Sequence, residues 1–443
     1  MKKLKSTGAH RGADSVIAYI CSHQNMAATF LLGACAFFVT VQYLCILPPL
    51  ICNGAQLLIG ICSLLLCFLT VGIGKLRRCL IFGGIYTVFG IISFLYNGNA
   101  DAIELLWPLG YMSAGLLLVF FRPNTRVCQA LFYGYCAVIL LTVTLAGDVD
   151  AAHFNASRNM ISVHVLVFLS IYLISVRKSG ERFSVLPFLS AIFLCLVARG
   201  RSGIVLAGIF ALYLLICLVF DRRSMCFCGK LDLLFCTAMV LIYCYPVLKA
   251  IKLPEVVPPT QQEANMPNTP SAEPSGSPSE EPPEEPSEEP SEEPPHLENT
   301  VGQGIKNFQA RGLRTGRFNI WGDYLKKACS SFMNILLGAS INGTPMLDEF
   351  STNLHNSFLM LHAKYGLLGL LLVLLAMACS GWRYLIQRNI HYLFLMAALF
   401  WRMNLDYTNF NGILDLLLIF LIFYPAMNQK AQVGKERPLE KAV

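Results

Sequence analysis

The chain alternates long apolar runs with short polar turns from about residue 27 to 250, and the same rhythm resumes from about 356 to 427. A helix needs about 17–25 apolar residues to cross a bilayer. Runs near 27–48, 53–73, 79–97, 102–121, 127–147, 160–176, 183–198, 203–220, 231–249, 356–381, 390–407 and 411–427 predict twelve such spans. The stretch 183–220 is too long for one crossing and reads as two short spans joined by a turn at Arg199-Gly200-Arg201-Ser202-Gly203. The predicted fold class is therefore an all-α polytopic membrane protein. Its order is an N-terminal segment 1–26, spans one to nine over 27–249, a large loop 250–355, spans ten to twelve over 356–427 and a tail 428–443. The first run lies behind a fairly polar segment and lacks a small-residue cleavage site, so it reads as a span and not as a cleavable signal.

Composition agrees. Residues are 55% hydrophobic and 14% charged, against about 25% charged in soluble domains, which excludes that class. Lysine and arginine mark the sides, because cytoplasmic turns carry the excess. With Lys2, Lys3, Lys5 and Arg11 inside, every even-numbered turn also falls inside. Those turns hold Lys75, Arg77 and Arg78; Arg122 and Arg126; Arg177, Lys178 and Arg182; Arg222, Arg223 and Lys230; Arg383 and Arg388. The formal charge of +7 follows from this topology and is no signal for nucleic acid; the expected surroundings are a lipid bilayer. Of seventeen cysteines only Cys329 falls clearly in the large loop. Neither a disulfide framework nor a zinc-type spacing is present, and buried thiols acting as small apolar groups are the reading adopted.

By parity the loop 250–355 faces outward. About 260–300, and above all the Pro-Ser-Glu repeat 274–295, has no means of burying apolar surface and is expected to be a disordered spacer. The part near 301–340 has a helical period: Phe318, Trp321, Leu325, Ala328 and Phe332 recur at spacings of three and four and predict one apolar stripe. That stripe suits a helix lying on the membrane or across the bundle's outer mouth. Arg311, Arg314 and Arg317 precede it at intervals of three.

Arginine near a bilayer's centre costs about 2.5–3.5 kcal/mol even on lenient scales. Arg199 and Arg201 sit at a turn that parity places outside, where the positive-inside bias gives no reason for them. Planar guanidinium groups bind phosphate through paired hydrogen bonds. Arginines from this turn and from the loop could therefore grip a diphosphate at the outer surface, such as the headgroup of a polyprenyl-diphosphate carrier. His355 and Asn356 stand at the outer end of the tenth span, and a histidine there can serve as general base toward an acceptor hydroxyl. His362 is deeper and reads as structural; Gly366 and Gly369 would let neighbouring helices approach. Arg402 lies four residues before Asp406 and is expected to pair with it.

Three segments then carry a resemblance: Gly200-Arg201-Ser202-Gly203, Gly316-Arg317-Phe318-Asn319-Ile320-Trp321, and His355-Asn356-Ser357-Phe358-Leu359. In this order and with this topology the chain resembles the O-antigen ligase and O-antigen polymerase superfamily. These are bacterial polytopic glycosyltransferases with a GT-C-like arrangement. Glycine stands where the family has serine before Arg201, and Arg199 is an added cation. The resemblance implies a bacterial cell membrane, an extracytoplasmic site, and an undecaprenyl-diphosphate-linked glycan donor with a glycan or lipid acceptor. It implies inverting transfer with neither cofactor nor metal. Arg201 and Arg317 would hold the donor diphosphate and His355 would deprotonate the acceptor. Arg199, Arg314, Trp321 and Asn356 would contribute to substrate binding. A polysaccharide or lipid-linked oligosaccharide flippase is the alternative, although no matching half-repeats are visible. A cell-wall polymerase and a non-enzymatic assembly partner also remain open. Deleting 274–294 is expected to leave both membrane insertion and activity intact, as fractionation and a transfer assay would show; loss of activity would contradict the spacer reading.

Overall fold

A computed structural model of the protein describes residues 22–99, 104–149, 151–152, 154, 157–227, 229, 232–239, 241, 317–342, 354–406 and 412–433. The described chain is almost wholly helical. Among the described residues seven helices are long and apolar enough to cross a membrane: α1 (Gln24–Tyr43), α2 (Pro49–Val71), α3 (Ile73–Asn97), α5 (Thr125–Ala146), α6 (Asn159–Ser179), α8 (Arg201–Phe220) and α11 (Ser357–Ile386). Four are apolar but shorter: α4 (Tyr111–Phe120), α7 (Leu186–Val197), α12 (Ile390–Leu405) and α13 (Leu414–Val433, apolar through Met427). Between α8 and α11, besides the helical residues 232–239, the described residues include two short helices, α9 (Arg317–Ala328) and α10 (Phe332–Leu337). The strands described are two-residue segments, β1 (Phe183–Ser184) and β2 (Met225–Cys226), paired in parallel.

Two expected boundaries shift for local reasons. The run 102–121 predicts one span, but Glu104–Leu109 forms a 3₁₀ turn containing Pro108, and α4 starts only at Tyr111. Proline has no N–H to donate and its ring clashes with the preceding turn, which disfavours a regular α-helix over residues 104–109, although α13 accommodates Pro425. The span expected at 79–97 begins six residues earlier, at Ile73, taking Lys75, Arg77 and Arg78 into its opening turns. Of the run 231–249, residues 232–239 are helical and most of the remainder lies outside the described residues.

Hydrogen bonds sort the turns into two ends. At the basic end, Arg122 bonds the Ser179 carbonyl, Asn25 accepts from the Arg122 N–H, and Arg177 donates to Ser224. Lys178 Nζ caps the last carbonyls of α4 and the residue beyond, at Leu118, Val119 and Phe121. At the other end, Tyr43 donates to the Ser157 carbonyl and Arg199 pairs with Asp148. The basic turns around Arg122, Arg177 and Arg222 thus share one face of the bundle. Every residue of α6 from Ile161 to Val176 is buried, polar Ser162, His164, Ser170 and Ser175 included, so this helix runs through the protein's centre.

The short loop helices α9 and α10 pack on the end opposite the basic turns. The face that α9 buries is Ile320, Tyr324 and Ala328, against Met360, Ala363, Ala339 and Ile341. Of the expected stripe, Ala328 is buried on this face, Trp321 is half-buried, and Phe318, Leu325 and Phe332 are exposed. Both stripes have helical spacing. The tyrosine-bearing one wins because its hydroxyl finds a partner inside: Tyr324 bonds His362 Nδ1 at 2.6 Å, while His362 Nε2 bonds the Ile335 carbonyl at 2.8 Å. His362 is structural, as read.

Polar side chains of α3 complete the clamp. Asn97 donates to the carbonyls of Leu337, Gly338 and Ala363, and Asn99 to those of Ala339 and Ala363. α10 meets α11 where α11 kinks at Gly366, whose φ of 68° belongs to the left-handed region. A Cβ there would collide with the Leu336 carbonyl, and one at Gly338 (φ 85°) with the carbonyls of His362 and Ala363. Gly366 thus serves the close approach expected of it, although Gly369 faces Tyr365 of its own helix. Gly366→Ala should destabilise the loop docking by about 1–3 kcal/mol through backbone strain alone. Its measure is faster proteolysis of the loop and a lower unfolding midpoint in detergent; unchanged values would contradict the clamp.

Candidate functional site

Three segments far apart in sequence converge on one carboxylate. Asp406 stands one residue beyond α12, with its side chain 15% exposed. Its Oδ1 lies 3.5 Å from Arg317 Nη2 and 3.4 Å from His355 Nδ1, and its Oδ2 lies 3.1 Å from Arg402 Nη2. Arg317 is the first residue of α9 and also donates to the Leu405 carbonyl. That carbonyl belongs to the last turn of α12, where the helix dipole favours a cation.

His355 is held from both sides. Before it, the Leu354 carbonyl accepts from Trp321 Nε1 at 2.7 Å. After it, Asn356 caps α11 by accepting from the Phe358 and Leu359 N–H groups, and its amide donates to the Asn404 carbonyl at 3.2 Å. Ser357 adds a bond to the Asp406 carbonyl at 2.7 Å. Between these ties His355 adopts φ 48°. A non-glycine residue in the left-handed region costs about 1–3 kcal/mol and persists only where its surroundings enforce it. A carboxylate can only accept, so the contact with Asp406 puts the ring proton on Nδ1 and makes Nε2 the basic nitrogen. The distance of 3.4 Å is long for a hydrogen bond.

The turn at residues 199–203 reaches the same place through Asn159, the first residue of α6. The Asn159 carbonyl accepts from Arg402 Nη2 at 3.0 Å, and its side-chain oxygen lies 3.4 Å from Ser202 Oγ. Gly200 packs so tightly on Asn159 that an added Cβ would collide with the amide oxygen. Arg201, half-buried, opens α8 immediately beyond this contact. Arg199 is directed elsewhere: it adopts φ 51° and forms an ion pair with Asp148 at 3.2 Å. Arg314 lies outside the described residues.

Two members of the site were not singled out from sequence. Asp406 entered only as a partner for Arg402, a pairing the structure bears out, and Asn159 did not enter at all. The signal for Asp406 was an aspartate closing a span on the same end as His355. For Asn159 none was available, since a polar residue opening a helix is commonplace. Arg402 is fully buried, with Nε and Nη1 lacking partners among the described residues. Among the described residues no group of three His, Cys, Asp or Glu side chains is placed to hold a metal ion.

Burial alone would raise the Asp406 pKa, but the bond from His355 and the charges of Arg402 and Arg317 outweigh it and hold the carboxyl below its ordinary value. A carboxyl lowered on folding adds stability above its unfolded pKa, lost as the pH falls through the folded one. Asp406→Asn strands the Arg402 charge in the interior and should cost about 3–5 kcal/mol, read as a fall in unfolding midpoint at neutral pH. The deficit should shrink below the ordinary carboxylate range, where the native side chain is protonated too. An unchanged midpoint at neutral pH would remove Asp406 from its central place. No protein-family model matches the chain, and no curated protein matches it in sequence.

Proposed function

We propose that the protein is a membrane glycosyltransferase of the O-antigen ligase or polymerase type. In this reading it moves glycan from an undecaprenyl-diphosphate-linked donor to an acceptor hydroxyl at the end of the bundle that carries α9. The observation that carries the proposal is the convergence on Asp406 of Arg317 and His355, with the Gly200–Ser202 turn joined through Asn159 and Arg402. A flippase needs no such grouping of guanidinium, imidazole and carboxylate at one mouth. Twelve crossings and an outward-facing loop belong to this proposal, as do the bacterial cell membrane and an extracytoplasmic site.

The chemistry follows from the charges. The donor's diphosphate, esterified at both ends, is a dianion, and it docks against Arg317 and Arg201 through paired N–H bonds. His355, its Nδ1–H directed at Asp406, takes the acceptor hydroxyl's proton on Nε2. The alkoxide-like oxygen attacks the anomeric carbon as the bond from that carbon to the diphosphate oxygen breaks. The electron pair and the negative charge leave with the lipid diphosphate. Arginines already in place stabilise that charge as it grows. Attack from the face opposite the leaving group inverts the anomeric centre. Asp406 fixes the imidazole's tautomer and stabilises the imidazolium that forms. Trp321 and Asn356 act by holding the residues on either side of His355.

The test is reconstitution with a lipid-diphosphate-linked oligosaccharide and an acceptor. His355→Ala should lose about 10²–10⁴-fold in transfer rate, the usual worth of a positioned general base. Arg317→Lys should also fail, because an ammonium has no paired fork. Full transfer by His355→Ala would overturn the proposed base.

A further inference from the structure

The basic end carries a second feature, far from the Asp406 cluster. A groove of about 1130 Å³ runs between α1 and the start of α5. Its α1 wall is apolar and open, with Phe30 74% and Phe37 59% exposed, and Val127 of α5 faces the same space at 42%. Side chains of this kind are at home against hydrocarbon. At the groove's mouth stand Arg122 and Arg126, with Glu181 the acidic residue among its lining. Two guanidinium groups against one carboxylate leave the mouth positive.

The N-terminus of α5 is not the source of that charge, since Asn124 already occupies its free N–H groups by accepting from Arg126 and Val127. The arginines are. Arg122 is also pinned in place: its Nη2 donates to the Ser179 carbonyl and its backbone N–H to Asn25. A guanidinium has five N–H donors, so others remain for a ligand.

We infer that this groove holds one anionic phospholipid of the leaflet at the basic end, its phosphodiester on Arg122 and Arg126 and its acyl chains along Phe30 and Phe37. An apolar wall leading to a cationic mouth complements that molecule along its length. A free phosphate would leave the wall uncovered, and a zwitterionic lipid would bring its own cation to the arginines. Basic pockets between helices on the positive side of a membrane protein bind anionic headgroups by the same attraction. The inference is independent of the transfer reaction, whose residues lie at the opposite end.

The test uses the purified full-length protein in detergent, with phosphatidylglycerol, phosphatidylcholine or inorganic phosphate added. Bound lipid is counted by native mass spectrometry and the unfolding midpoint is followed. Phosphatidylglycerol should bind one-to-one and raise the midpoint, while the other two should not. Each arginine contributes about fivefold to such binding, so the Arg122→Gln/Arg126→Gln protein should bind about thirtyfold more weakly. Arg77→Gln/Arg78→Gln, at the same end but outside the groove, should bind normally. Ala34→Trp, which fills the groove without touching its charge, should also displace the lipid; this separates lost binding from a misfolded arginine variant. Equal binding of phosphatidylcholine, stabilisation by inorganic phosphate, or undiminished binding by the double glutamine variant would each overturn the inference.

Discussion

A carboxylate taken out of water keeps its charge only if groups that stabilise it come with it, and Asp406 draws two guanidinium groups and an imidazole N–H from three parts of the chain. Arg402 arrives from the preceding turn of its own helix, Arg317 from the loop helix α9, and His355 from the residue pair that starts α11. Remove the carboxylate and the reason for these groups to be neighbours disappears, because the two guanidinium groups repel one another and the imidazole N–H loses its acceptor. The same charge orients His355 and holds Arg317 beside it. It also secures Arg402, which in turn fixes Asn159 and the turn before α8. One buried anion thus organises a site that its surroundings leave otherwise cationic.

Packing brings α9 close enough for this to happen. Tyr324, His362, Asn97 and Asn99 tie the loop helices to α11 and α3 by hydrogen bonds to side chains and to carbonyls that the helices leave unused. Two glycines allow the backbones to meet. The clamp is polar, and it therefore fixes α9 in one register, where an apolar contact alone would permit sliding.

Much of this was legible before any coordinates. Apolar runs marked the helices because each must present carbon to lipid or to its neighbours over its whole length, and the lysines and arginines sorted the ends. What the runs did not show was the break at Pro108, where hydropathy is indifferent to a missing N–H. Nor did periodicity choose the packed face of α9: Phe318, Leu325 and Phe332 outweigh Ile320, Tyr324 and Ala328 as hydrophobes, yet it is the second set that finds partners. At the site, residue types and their order pointed to Arg317, His355 and the turn at Arg201. Arg199 looked equivalent to Arg201 in sequence, and only the fold pairs it with Asp148. Asp406 was visible as a helix partner of Arg402 and not as a meeting point, since a meeting point is a property of tertiary structure.

If Asp406 works through the imidazole, removing both groups should cost little more than removing one. A kinetic double-mutant cycle on glycan transfer from a lipid-diphosphate donor reads this coupling directly, comparing His355→Ala, Asp406→Asn and the combined protein with the original. The proposed reaction predicts strong non-additivity, with the combined protein no slower than His355→Ala. Losses that multiply would mean that carboxylate and imidazole act independently, and the central claim would fall.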